Sequence, residues 1–109
     1  MSRFVSVVGL SVYRNRKLLD LAHKLNTCPE CGHYSPEGLE PMHSNMQRHG
    51  RGMGHKSADH FHAAGCHECH KKIDSGMLSR EEKEAMWLRA FEATLTRYWE
   101  MGWLVVKGK

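Results

Sequence analysis

The chain is 109 residues long, room for one modest domain that hides roughly two-thirds of the surface its unfolded form exposes. Apolar residues make up 40% and charged residues 26%, the balance of a globular protein rather than of a collagen-like or disordered chain. Lys and Arg outnumber Asp and Glu by 16 to 12, and the resulting +4 is compatible with nucleic acid or an anionic surface without singling out either.

Residues 1–13 read as a tail or an edge strand, with Val-rich loose alternation from Phe4 onward. The opening Ser2–Leu10 stretch is broken by serines and a glycine and runs into Arg14–Lys17, which is not the pattern of a secretory signal. No apolar run approaches the roughly 20 residues of a membrane helix, so a soluble protein of the reducing cytosol is expected. Leu18, Leu21, Ala22 and Leu25 recur at helical spacing, predicting a short amphipathic helix over residues 16–25. From Cys28 to Gly54 the chain is rich in Pro and Gly and has room for hairpins and loops but no long helix.

A second helix is predicted over residues 66–73, because Cys66 and Cys69 need one turn between them and Ile73 continues that face. Ser79-Arg80-Glu81-Glu82 is a capping box opening a long helix to about Met101. Its apolar stripe is expected at Trp87 or Leu88, Phe91, Leu95 and Tyr98 or Trp99. Gly102 ends it, and Trp103-Leu104-Val105-Val106 reads as a short closing strand.

The four cysteines form two Cys-x-x-Cys units, Cys28/Cys31 and Cys66/Cys69, with 34 residues between them. Two such units supply four sulfurs for a tetrahedral structural zinc. Redox or disulfide chemistry suits this chain less well, since it lacks a secretory signal and a thioredoxin-like βαβ pattern. Zinc would clamp an insert too poor in apolar residues to fold alone.

Histidine is the unusual component: nine in all, seven of them between His43 and His70. His49, His60 and His62 read as solvated loop residues. His70 follows Cys69 on a helix that zinc would pin, and His43 stands on the expected first strand of a hairpin. A rigid helix histidine facing a hairpin histidine is the layout of a one-metal phosphodiesterase, with one imidazole on a divalent cation and the other activating water.

The segments Gly52-Met53-Gly54-His55-Lys56-Ser57-Ala58-Asp59 and Cys66-His67-Glu68-Cys69-His70-Lys71-Lys72-Ile73-Asp74 carry a family resemblance. The chain resembles small phage and prophage proteins classed with the HNH (ββα-metal) nucleases and similar to the RecA-dependent phage nuclease Ref. The likeness runs from about Leu18 to Gly108. It implies a single α+β domain, a zinc-stabilised ββα-metal finger with a short N-terminal helix and a long C-terminal one. It further implies a metal-dependent DNA endonuclease or nickase in the cytoplasm of a bacterial host, possible partners being DNA and a RecA-type recombinase filament.

By position, His43 resembles the general base, Asp59 the central residue of the motif, and His70 the closing metal ligand. His70 and Asp59 would then hold Mg²⁺ or Mn²⁺, and Cys28, Cys31, Cys66 and Cys69 the structural zinc. Met42 stands where many such enzymes carry a further metal ligand, so Asp59, His55 or His67 would complete the shell. Arg48, Arg51, Lys56, Lys71 and Lys72 surround this site as candidate phosphate contacts. The rival expectation is a zinc-knuckle DNA-binding or adaptor protein that has the scaffold without the chemistry.

Overall fold

The computed structural model describes residues 13–52 and 54–108, so the expectation of a tail or edge strand before Tyr13 falls outside the described residues. Asn15 caps the first helix, α1 (Arg16–Asp20), by accepting a hydrogen bond from the Leu18 amide. The chain then tightens into a 3₁₀ turn over Leu21–Lys24, so the predicted helix is present as two shorter pieces. Ala22 and Leu25 are its inward residues.

Residues 26–35 fold back sharply on themselves. The Ser35 amide donates to the Asn26 carbonyl, the Cys28 amide to His33, and the Gly32 amide to Cys28. This tight knuckle ends at Leu39, whose amide reaches back to the Leu25 carbonyl. Strand β1 (Glu40–His43) follows and pairs antiparallel with β2 (His62–Gly65) in the register Glu40↔Gly65, Pro41↔Ala64, Met42↔Ala63 and His43↔His62. Among its described residues the connection between them holds one further 3₁₀ turn, Gln47–His49, and no long helix, as its glycines predict.

Helix α2 (His67–Asp74) starts directly after β2 with Cys66 as its N-cap residue. Helix α3 (Arg80–Glu100) begins at Ser79, where both hydrogen bonds of the capping box form: Glu82 amide to Ser79 hydroxyl at 3.1 Å, and Ser79 amide to Glu82 carboxylate at 2.8 Å. Its buried stripe is Met86, Trp87, Ala90, Thr94 and Tyr98. Of the expected alternatives Trp87 and Tyr98 are the ones that turn inward, with Trp99 outside, whereas Leu95 faces outward, a correction to the expected stripe. Small Ala90 and Thr94 point inward because α3 lies close on β2, and the Thr94 hydroxyl accepts the Ala64 amide at 3.0 Å. A long aliphatic side chain in their place would hold the helix away from that edge.

The predicted closing strand is absent. The Trp103 amide turns back to the Tyr98 carbonyl, and Val105 and Val106 are exposed. Among the described residues the sheet has two strands, and α3 rather than residues 103–106 meets the outer edge of β2. The core gathers Leu25, Leu39, Met42, Ile73, Met86 and Trp87 between the hairpin and helices. The Trp87 indole N–H donates to the Met42 carbonyl at 2.8 Å, locking α3 to β1. Among the described residues no helix is long and apolar enough to cross a membrane.

Candidate functional site

The four cysteines converge. Cys28 and Cys31 come from the knuckle, Cys66 from the end of β2, and Cys69 from the first turn of α2. The sulfurs of Cys28 and Cys69 lie 3.7 Å apart, those of Cys31 and Cys66 3.6 Å apart, and all four fall within 4.8 Å of one another. A tetrahedron with Zn–S bonds of about 2.3 Å has edges of about 3.8 Å, so the donor set can hold a metal ion of that size. All four thiols are free.

Burial pushes the Cys28 thiol up, but the amides of Cys31, Cys66 and Glu30 more than offset it and bring it down to about 7. Burial and the neighbouring sulfurs raise Cys66 and Cys69. The first thiolate therefore forms at Cys28 and resists a second, a repulsion that a bound dication would relieve. The knuckle is braced from outside. Arg89 forks onto the Glu30 carboxylate at 2.7 and 3.3 Å, and Arg97 donates to the Thr27 carbonyl at 2.7 Å.

The histidines separate into groups. Strand pleating sends Glu40 and Met42 to one face of β1, and Pro41 and His43 to the other. On the His43 face, its Nε2 lies 2.9 Å from Asp59 Oδ1. Asp59 is 3% exposed, and its Oδ2 accepts the Asn15 amide at 2.6 Å while the Arg14 guanidinium stands 3.6 Å from Oδ1. Burial would raise this carboxyl, yet His43, the Asn15 amide and Arg14 hold it below the usual aspartate range. The same face carries His62, whose Nδ1–H donates to the Asp59 carbonyl at 2.7 Å and whose Nε2 accepts the Tyr98 hydroxyl at 3.0 Å. His62 is thus a buried tie rather than a solvated loop residue, which corrects the expectation. Burial keeps its imidazole below the ordinary histidine range.

On the other face, Glu40 receives both helix histidines. Its carboxylate oxygens lie 2.7 Å from His70 Nδ1 and 3.2 Å from His67 Nδ1. His70 Nε2 lies 3.3 Å from Asp74 Oδ2, one helical turn further along α2. Burial raises the Glu40 carboxyl less than the two histidines lower it, leaving it depressed.

The structure therefore brings His43 to Asp59 but joins His70 to Glu40 and Asp74 instead of to either of them. Among the described residues, the cysteine quartet is the only group of three or more His, Cys, Asp or Glu donors close enough to ligate one ion. Met42 is fully buried in the core. His55 and His60 are exposed, and half-buried His49 bonds Ser44 Oγ at 2.7 Å and stacks on Phe61. Arg48 and Arg51 project from the loop after β1, Lys56 lies exposed before Asp59, and Lys71 and Lys72 are exposed on α2.

No family model, curated protein or solved structure matches this chain.

Sequence reasoning missed Arg14, Glu40, His62, Asp74 and Tyr98. Asp74 carried a readable signal, since it stands four residues after His70, directly after the helix predicted over residues 66–73. Glu40 carried a weaker one, an acidic residue on the strand of His43. His62 and Tyr98 are 36 residues apart and meet only through packing of α3 on β2.

Proposed function

We propose that this chain is a metal-dependent DNA endonuclease or nickase of the HNH type, working in phage or prophage DNA metabolism. The observation that carries this reading is the His43–Asp59 pair. Neutral His43 donates its Nε2–H to the buried carboxylate, which leaves the Nδ1 lone pair available as a base. Among the described residues Nδ1 has no hydrogen-bond partner. His43 would take a proton from the attacking water, and Asp59 would steady the imidazolium that results. Asp59 then acts as a positioning residue rather than as a ligand.

The donor set for a hard cation lies on α2. Glu40 accepts the Nδ1–H of His70, so Nε2 is free to ligate beside Asp74. Two protein donors suit Mg²⁺ or Mn²⁺ that keeps most of its water. Such an ion would supply charge stabilisation at the phosphate and leaving oxygen. Zinc at Cys28, Cys31, Cys66 and Cys69 is structural in this reading.

A second reading, a DNA-binding zinc protein without cleavage, is favoured by one specific observation. Met42 is wholly buried, and His43 and His70 sit against different carboxylates on opposite faces of β1. Supercoiled-plasmid nicking with Mg²⁺ or Mn²⁺, with and without a RecA-type filament, separates the two. The nuclease reading expects His43→Ala to slow nicking by about 10²–10⁴-fold, with a metal-dependent loss in His70→Ala. DNA binding with no nicking at any metal concentration would establish the second reading instead.

A further inference from the structure

Four cations that the fold draws from distant parts of the chain line one cleft. Arg48 and Arg51 come from the loop after β1, and Arg80 and Lys83 from the first turn of α3. The cleft measures about 830 Å³, within the range of ligand-binding sites. Its end wall is the C-terminus of α2, and its only acidic lining residues are Asp74 and Glu84.

Among the described residues none of these four cations forms an ion pair, although two carboxylates line the same cleft. What sets these four apart from the chain's other unpaired cations is that they line the same cleft, so their charges act together on whatever enters it. One is also held in place. The Asn45 amide nitrogen donates to the Ile73 carbonyl at 3.2 Å, which fixes Asn45 at the end of α2. The Asn45 side-chain oxygen then accepts Arg51 Nη1 at 2.8 Å, steadying that guanidinium without neutralising it. A cation oriented by a neutral partner keeps its full charge for an incoming anion.

We propose that this cleft seats the phosphodiester backbone of nucleic acid, with Arg80 and Lys83 forming the wall opposite Arg48 and Arg51. The proposal rests on the nucleic-acid reading above and deepens it. Of the five basic residues singled out from sequence, only Arg48 and Arg51 line the cleft, and α3 supplies the other half. Asp74 joins the cleft to His70 through their 3.3 Å contact. A strand lying here passes beside the candidate divalent site. Arg80 and Lys83 thereby gain a role beyond the solvent-facing start of a helix.

The test is fluorescence anisotropy with labelled oligonucleotides of about 20 nucleotides, single-stranded in one arm and duplex in the other, from about 50 to 200 mM NaCl. The proteins are wild type, Arg48→Gln/Arg51→Gln, Arg80→Gln/Lys83→Gln, and an Arg16→Gln/Lys17→Gln control on α1, each checked for folding by circular dichroism. Each neutralised phosphate contact flattens the plot of log affinity against log salt by about 0.9 for duplex and 0.7 for single strands. Each cleft pair is expected to flatten the slope by about 1.4 to 1.8, and the control to leave it unchanged. The arm with the tighter binding and larger change identifies which form of nucleic acid supplies the backbone. Salt-sensitive wild-type binding with an unchanged slope in the Arg80/Lys83 variant overturns the cleft while leaving the nucleic-acid reading intact. Wild type that binds neither oligonucleotide overturns both.

Discussion

Asp59 does more than any other single side chain to organise the region around His43. Its carboxylate takes the His43 imidazole and the Asn15 amide, and its backbone carbonyl takes His62. Asp59→Asn keeps the shape and removes the charge that steadies the imidazole. Any nicking activity should fall by up to about 10⁴-fold, the scale seen when an aspartate that orients a general-base histidine becomes asparagine, measured on supercoiled plasmid beside His43→Ala. His62 gives a separate prediction in pH. Its folded-state pKa lies below the unfolded value of about 6.5, so the unfolded chain binds the proton more readily. The stability it contributes is complete above about pH 6.5 and is lost as pH falls from there towards the folded value. Asp59, His43 and His60 all face it, and Tyr98 bonds it from α3. Urea midpoints at about pH 7.5 and pH 5.5 should therefore drop further in wild type than in His62→Gln. The assignment fails if both proteins show the same drop.

At the scale of elements, the start of α3 was legible because a capping box is local: Ser79 and Glu82 satisfy each other's backbone amides whatever the rest of the chain does. Ser79→Ala should lower unfolding free energy by about 0.5–2 kcal/mol, read from denaturant midpoints, with no change at the cysteine cluster. The paired cysteines were legible for the same reason, since two residues between ligands fix a knuckle or a helix turn. What lay beyond the sequence was parity and phase. Whether His43 shares a face with Glu40 depends on the pleat of a four-residue strand, and that pleat separates His43 from His70. Whether Leu95 or Thr94 turns inward depends on how closely α3 approaches β2, which small residues permit and hydrophobicity does not reveal. The turn into β1 adds a backbone test. Gly38 adopts φ +97°, and a Cβ there would overlap the His23 carbonyl oxygen. A Gly→Ala change at a compatible position stabilises by about 0.4–1 kcal/mol, but Gly38→Ala should instead destabilise the protein by more than about 1 kcal/mol, because strain and overlap both oppose it. A thermal midpoint equal to that of wild type would contradict this account of the turn.

For the molecule as a whole, the question is whether the core suffices without the cysteine cluster. The buried apolar residues are few and several are small: Ala22, Ala58, Ala63, Ala64 and Ala90 stand among them. The cluster draws the knuckle, the end of β2 and the start of α2 to one point, closing a loop of 34 residues between the cysteine pairs. Apparent binding free energies of structural zinc in small fingers reach about 10–16 kcal/mol, as large as the whole stability of an ordinary domain at about 5–15 kcal/mol. With zinc held by the four cysteines, as the proposed function has it, removing it should therefore unfold the knuckle and hairpin together rather than loosen the cysteines alone. A strong chelator should abolish near-ultraviolet circular dichroism from buried Trp87 and Tyr98, and one equivalent of Zn²⁺ per chain should restore it. Co²⁺ in place of zinc should give the charge-transfer absorption of thiolate ligands, and Cys69→Ser should weaken it. α3, held at its start by its own capping box, should keep part of its far-ultraviolet helical signal throughout. A metal-free chain with unchanged near-ultraviolet signal and thermal midpoint would mean that the hydrophobic core alone holds the hairpin against both helices, and that the cysteines are not its clamp.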